Sequence, residues 1–547
     1  MRVAQRRCMA RFIMRSIVAL ATACSGLGCT GIIGGGEDEP TGPSAQTLSE
    51  LGETGLRRLT ASEYDASVRD LVGVTVDSEL VLPEDLRTPF DNDYAMQQAS
   101  EALITAADSL AAKVAGEVVS DPALRGAIVP CAPAGAEDVA CFREFVAQFG
   151  RRVFRRALTT AEIDNFMRFV DHGKQAGDFW IAVDSALRAF FQHPTFLYRV
   201  EIGTPVSGEP GVVRLTDHEV ATRLSYTLWG STPPVWLLDL ADKGALSSSE
   251  GVKAAVEQLM LDDKAKRRME RFHGMWMGYE RLPHAASLAE SMQLETGALI
   301  NKVVFEDNAP WVAMLRSKQT YLNDELALHY GLPLPPGGEG WVDYGSAPRQ
   351  GLLSHGSFLS AAAKFDDTSP TQRGLLIRTR LFCQTINTPP PDLLVNTDEP
   401  PQAPDPNACK KESYFMWKTE GCKLCHQMMD PVGFGLENFD MAGRYRAHEA
   451  DRPECVIDGA GTIDGQAFSG PIELENLMIE AGGVDECVAT MMYRFTMGRY
   501  DLATKDERML ERLVPAAQRE GELHLYDLVV ELLSSETFRH RREEVVQ

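Results

Sequence analysis

The sequence predicts a mainly α protein built from several serial helical modules, with a Pro-rich approach to the fourth module and a small β-hairpin element ahead of the last. Three observations predict this. A helix-start signature of the form L-T-x-x-E recurs at Leu59–Glu63, Leu158–Glu162 and Leu215–Glu219. In each, Thr stands at the N-cap and Glu three residues on, so each side chain can bond the other's backbone N–H, and the preceding Leu meets Tyr64, Ile163 or Val220 one turn in. Leu246–Glu250 is a weaker fourth copy. Apolar stripes at helical spacing follow these starts, namely Ile163, Phe166, Met167 and Val170, then Val220, Leu224 and Leu228. Breaks rich in Pro and Gly divide the stripes at 130–133, 204–212, 332–345 and 388–406, the last being too Pro-rich for regular helix.

Taken in order, the chain opens on a leader at 1–29. Arg2, Arg6, Arg7, Arg11 and Arg15 precede the apolar run Ile17–Ala21, which is an export pattern too short to span a bilayer. Small residues lead into Cys24 and Cys29, a loose lipobox without the preferred Leu, so either cysteine is a candidate lipidation site and membrane anchor; plain signal cleavage is the alternative. A flexible tether at 30–54 follows. Helical modules are expected at 55–130, 131–203 and 213–331, a fourth at 346–450, and a C-terminal module at 455–547. In the last, Asp458-Gly459 and Asp464-Gly465 predict hairpin turns, and helix resumes from Cys487. The formal net charge of −24, without a long basic run, argues against a nucleic-acid partner. The densest basic cluster, Arg151, Arg152, Arg155 and Arg156, alternates with Phe149, Val153, Phe154 and Leu158 and reads as the wet face of an amphipathic helix.

The most specific chemistry lies in the fourth module. Cys422-Lys423-Leu424-Cys425-His426 is the C-x-x-C-H attachment pattern for a c-type haem. On a helix starting near Ser413, two cysteines three apart share a face and can form two thioethers, and the adjacent His426 supplies an axial nitrogen to the iron. With 11 Cys and 11 His in 547 residues, chance gives about 0.004 such matches. A structural zinc half-site, a redox dithiol or a strained disulfide are the alternatives, and no second C-x-x-C or H-x-H pair completes a zinc set. Pro431 is expected to stop the haem helix. Phe434, Leu436 and Phe439 are candidates to pack on the porphyrin or to be ordinary core; Arg444 and Arg446 are candidates to pair with propionates, or with Glu437 and Asp440.

Outside leader and motif, six cysteines remain: Cys131, Cys141, Cys383, Cys409, Cys455 and Cys487. An even number suits three disulfides in an oxidising compartment. Proximity in sequence suggests Cys131–Cys141, Cys383–Cys409 and Cys455–Cys487, of 15 pairings open to six cysteines.

The segment from Cys422 through Asp430-Pro431-Val432-Gly433-Phe434 and Glu437-Asn438-Phe439-Asp440 to Gly443-Arg444-Tyr445-Arg446 resembles the haem-bearing part of the planctomycete-type cytochrome c proteins, also common in myxobacteria. Those are large exported chains of serial domains of unknown function (DUF1587, DUF1595, DUF1592, DUF1588 and DUF1585). Other segments resemble them in the expected order: Arg57-Arg58-Leu59-Thr60, Phe149-Gly150-Arg151-Arg152, Phe196-Leu197-Tyr198-Arg199, Thr368-Ser369-Pro370 with Arg373-Gly374, and Phe495 to Arg499. The resemblance implies one covalent haem c and a secreted setting, and names no substrate.

The sixth iron ligand stays open between Met491, Met492, Met497, His355 and an empty position, with Met497 the choice beside Gly498. The C-terminal module is expected to pack over the haem helix. Three functions follow: an exported, lipid-anchored monohaem protein of electron transfer or redox chemistry at the periplasm, outer membrane or cell surface, with an unknown redox partner; a surface scaffold or polysaccharide-associated binding protein with a secondary haem; or a haem peroxidase. No G-x-S-x-G, P-loop, G-x-G-x-x-G or H-E-x-x-H motif supports hydrolase, nucleotide or zinc-protease readings.

Overall fold

A computed structural model of the chain describes residue 48 and residues 51–97, 99–387, 399–403, 405, 407–414 and 421–543. The leader with Cys24 and Cys29, most of the tether and much of the Pro-rich approach lie outside the described residues. The fold is mainly α with short hairpins, and the described residues form one unit. No described helix is long and apolar enough to cross a membrane.

The three capping boxes form as their sequences require. Thr60 caps α1 (Ala61–Val72), Thr159 caps the helix Thr160–Met167, and Thr216 caps α3 (Asp217–Leu228), each with the reciprocal Glu bond. Each of these glutamates also takes a second partner. Glu63, fully buried, meets Arg268 at 2.9 Å; Glu162 takes Arg156 at 2.8 Å; Glu219 accepts from the backbone of Ile202 at 2.6 Å. The fourth copy shifts by one residue: Ser248, not Ser247, caps the helix Ser249–Met260 and bonds Gly251 N, because the Ser247 hydroxyl is spent on Gly244 O.

The basic cluster is not one wet face. It closes α2 (Val139–Phe154), where Arg151 pairs with Asp239 and Asp242 at the surface, but Arg155 takes a left-handed conformation and turns inward. There its guanidinium caps the carbonyls of Phe196 and Tyr198 and the Tyr226 hydroxyl. Burying those carbonyls requires donors, and Arg155 supplies several at once.

Serial order in sequence does not give separate cores. The first two modules share one apolar cluster, with Tyr64, Phe142, Phe145, Phe149, Phe190, Phe191 and Phe196 at its centre and Tyr226 reaching in from α3. Most of the chain from Leu215 to Phe538 shares a second cluster, which Phe90 of the first module joins, while Met292, Leu322, Leu326, Tyr330, Val342 and Ala442 belong to a smaller third one. The first and last described strands meet in a four-stranded sheet of order Glu53–Thr54, His540–Glu543, Val212–Arg214, Thr204–Pro205, parallel between the first two and antiparallel elsewhere. Beneath it Glu201 binds Arg223 through two 2.6 Å contacts and Arg57 at 3.3 Å, while Arg223 also donates to Phe538 O at 2.7 Å and Arg57 to Thr496 O at 3.1 Å.

Two hairpins lie at and just before the start of the C-terminal module, and a third, Gln518–Arg519 with Glu522–Leu523, lies further on. Asp464 and Gly465, both at positive φ, turn Ala460–Ile463 into Gln466–Ser469 as predicted. Asp458-Gly459 is not a hairpin turn. It links one hairpin, His448–Glu449 with Arg452–Val456, to the next, and Asp458 caps Ala460 N at 3.0 Å.

Burial pushes the Glu201 carboxyl up, but the Arg223 and Arg57 guanidinia prevail and hold it at about 2, below the ordinary 4.5. A depressed folded value stabilises the fold above about pH 4.5, and that contribution is lost as pH falls toward about 2. Urea titrations across this range should show the loss in the native chain. Glu201→Gln should lose about 3–5 kcal/mol at neutral pH, since two buried guanidinia are left unpaired, and should show a flatter acid profile.

Candidate functional site

The C-x-x-C-H motif opens a helix, α5 (Lys423–Phe434), with Cys422 at its N-cap and His426 N bonded to Cys422 O at 3.2 Å. The helix begins later than expected. A short turn, Lys410–Ser413, stands where the start near Ser413 was expected, and residues 415–420 lie outside the described residues. Nor does Pro431 stop it: the helix runs three residues further, to Phe434. An interior proline costs about 3 kcal/mol through a lost hydrogen bond and a steric clash. Contacts made just past Pro431 offset that cost.

Those contacts are with α4 (Pro370–Leu376), which crosses α5 at backbone distance. A Cβ on Gly374 would collide with the carbonyl of Met429, and a Cβ on Gly433 with the carbonyl of Pro370. Side chains from the same stretch then hold α5 at its middle and where the chain leaves it. Thr371 Oγ1 donates to Asp430 Oδ1 at 2.7 Å. Buried Arg373 donates to the carbonyls of Leu436, Phe439 and Asp440 at 2.7, 2.8 and 3.0 Å, capping the chain where it leaves the helix. Arg378 donates to Met428 O at 3.2 Å and pairs with Asp464 of the hairpin at 2.9 Å. The hairpin lies on α5, with Phe468 against Gly435 and Gly461 against Pro431 O. The C-terminal module therefore reaches α5 through its hairpin.

On α5 itself, His426 Nδ1 lies 2.9 Å from Asp430 Oδ2 and 3.1 Å from Oδ1, one helical turn away. Asp430 is fully buried; the His426 side chain is 26 % exposed. A carboxylate only accepts, so a neutral imidazole in this contact carries its proton on Nδ1 and leaves the Nε2 lone pair free. Cys422 and Cys425 are both free thiols and half-buried, and Leu424 beside them is 68 % exposed. Two thiols and an imidazole with a free ring nitrogen, at the start of one helix, are the donor set that a covalent haem needs, and they fit it.

The other anticipated residues have partners within the chain. Phe434 is buried against Tyr414, and Leu436 and Phe439 belong to the core. Arg444 binds Asp440 at 2.7 Å and Arg446 binds Glu437 at 3.2 Å, the acidic partners already open to them. Met497 ends α6 (Val484–Met497) between Thr496 O, which accepts from Arg57, and Gly498 O, which accepts from Tyr94 N. That end of α6 faces the first module. Met491 and Met492 sulfurs accept weak contacts from Arg494 and Thr496 on their own helix. His355 is fully buried, its Nδ1 2.9 Å from the Thr296 hydroxyl and its Nε2 3.7 Å from Glu295. Asp430, Thr371 and Arg378 were not singled out from the sequence. The i, i+4 spacing of His426 and Asp430 is the signal that finds the first of them.

The disulfides pair differently from sequence proximity. Cys131–Cys141 forms as expected, but Cys383 joins Cys487 and Cys409 joins Cys455, with Cα separations of 5.3 and 5.5 Å. Cys409 is carried to Cys455 by Arg452, which donates to Ala408 O at 2.7 Å, and by Glu449, which accepts from Lys410 N. Cys383, just beyond Arg378, lies beside α6, where Cys487 Sγ contacts Arg380 O at 3.2 Å. The only described group of three potential metal ligands, Cys409, Glu449 and Cys455, has both cysteines in a disulfide, and neither Cys422 nor Cys425 belongs to one.

The crossing predicts a contrast between two glycines. Gly374→Ala should cost more than about 3 kcal/mol in urea unfolding, because the obstruction is backbone that cannot rotate away. Gly116→Ala, in a helix interior with nothing near the new methyl, should stabilise by up to about 1 kcal/mol.

Five families match the chain in series, each described as a protein of unknown function: DUF1587 over 57–120, DUF1595 over 141–201, DUF1592 over 215–332, DUF1588 over 349–449 and DUF1585 over 464–538. The fourth, which contains α5, carries the short name PSCyt3. No curated protein and no solved structure matches the chain. By this complete and ordered set, the chain belongs to the planctomycete-type multi-domain proteins that carry these five domains of unknown function in series.

Proposed function

We propose that this is an exported, lipid-anchored, c-type cytochrome-like protein, with one haem attached through Cys422 and Cys425, working in electron transfer or redox chemistry at the cell envelope with a partner protein. The carrying observation is a matter of cysteine use. Among the described cysteines six are in disulfides, and the two thiols left free are those of C-x-x-C-H. Paired disulfides and spared thiols suit an oxidising compartment with dedicated haem attachment. The name of the family covering α5 points the same way.

In this reading Cys422 and Cys425 would hold the haem through thioethers, and His426 Nε2 would ligate its iron. The haem supplies one-electron chemistry when bound. The chain's own part is orientation: α4 fixes α5, and Asp430 fixes the ring of His426. Anchorage at Cys24 or Cys29 is the role assigned to the leader.

Expression with cytochrome c maturation machinery tests this. The mature chain should stain for haem on a denaturing gel and show sharpened visible bands on reduction. Cys425→Ala should weaken covalent attachment, and His426→Ala should keep the stain but change the iron spectrum. A native chain without stain contradicts the reading.

A further inference from the structure

The buried carboxylate behind His426 is not needed for attachment, which uses the two thiols, nor for ligation, which uses Nε2. It is nonetheless built with care. Asp430 is fully buried, sits one turn along from His426, and takes a second hydrogen bond from Thr371 on the crossing helix α4. Thr371 is brought there by the backbone contact at Gly374 and Gly433. A carboxylate bonded to the outer nitrogen of a ligating imidazole fixes the ring's tautomer and orientation and raises the basicity of the other nitrogen. Hydrogen bonding around the ligand is one of the protein's levers on haem potential.

We infer that Asp430 is a positioning residue that lowers the reduction potential of a haem held at Cys422 and Cys425, and that Thr371 sets how strongly it does so. This rests on the haem reading above. Asp430 acts by drawing the Nδ1 proton of His426 toward itself, which makes Nε2 a stronger donor and favours the oxidised state. The Thr371 hydroxyl shares the same carboxylate and tempers its pull on the imidazole. The arrangement therefore has a sign that simple structural support lacks: removing the acceptor and removing its tempering donor must move the potential in opposite directions.

Redox titration of the haem-loaded chain, followed by absorbance, tests this with Asp430→Asn and Thr371→Val. Asp430→Asn should shift the reduced-to-oxidised ratio at fixed potential at least tenfold toward reduced, about 59 mV for one electron. Thr371→Val should shift it toward oxidised. The iron–histidine stretch in resonance Raman should fall in the first variant and rise in the second. If Asp430→Asn does not fold, the direction of the Thr371→Val shift decides alone. Loaded variants with unchanged potentials, or shifts in one common direction, overturn the inference while leaving the haem reading intact. A wild-type chain that takes up no haem overturns both.

Discussion

The contact between α4 and α5 at Gly374 and Gly433 is the constraint on which the rest of the site depends. Two helices can approach until backbone meets backbone only where neither presents a Cβ, and here both supply a glycine. That approach puts Thr371 against Asp430 and Arg373 under the carbonyls of Leu436, Phe439 and Asp440. It also lets α5 continue past Pro431 although proline disfavours it. Asp430 in turn orients His426. The position of the C-x-x-C-H motif is thus inherited from a steric condition between its own helix and α4.

Arginine does much of the internal satisfaction of this chain. Its net charge of −24 suggests a wet acidic surface, yet several guanidinia are buried. Arg155, Arg223 and Arg373 each collect two or more carbonyl oxygens from loops, helix ends and short strands. A planar fork of five donors suits that task, because irregular backbone leaves several acceptors converging without matching N–H groups. These arginines join segments far apart in sequence: Arg57 to α6, and Arg223 to the last strand. The five serial domains therefore do not each have a core of their own: two large clusters serve most of the chain.

What could be read from the sequence was whatever is decided within a turn or two. The capping boxes at Thr60, Thr159 and Thr216 are local exchanges between a hydroxyl, a carboxylate and two N–H groups, and they form as read. The Asp464-Gly465 turn is local in the same sense. Local readings fail at Asp458-Gly459 and at Ser247, where a neighbouring residue takes the expected role, but the larger misreadings involve distant partners. Pro431 looks like a helix stop until Gly433 meets Pro370. Cys383 lies nearer Cys409 in sequence, but Arg452 and Glu449 carry Cys409 to Cys455. Arg155 belongs by spacing to a wet face, and left-handed backbone at the helix end turns it inward. For the candidate site, the thiols and His426 were legible as a motif, whereas Asp430 becomes meaningful only once Thr371 is seen beside it.

The claim that Cys422 and Cys425 are spared for haem is tested most directly by mass spectrometry of the mature exported chain, digested without reduction and in the presence of an alkylating agent. The account predicts that the peptide containing Cys422–His426 carries the mass of one haem on two thioethers and takes no alkyl group, while Cys383–Cys487 and Cys409–Cys455 appear as linked peptides. Recovery of that peptide with two alkylated thiols, or with Cys422 joined to Cys425, would contradict it.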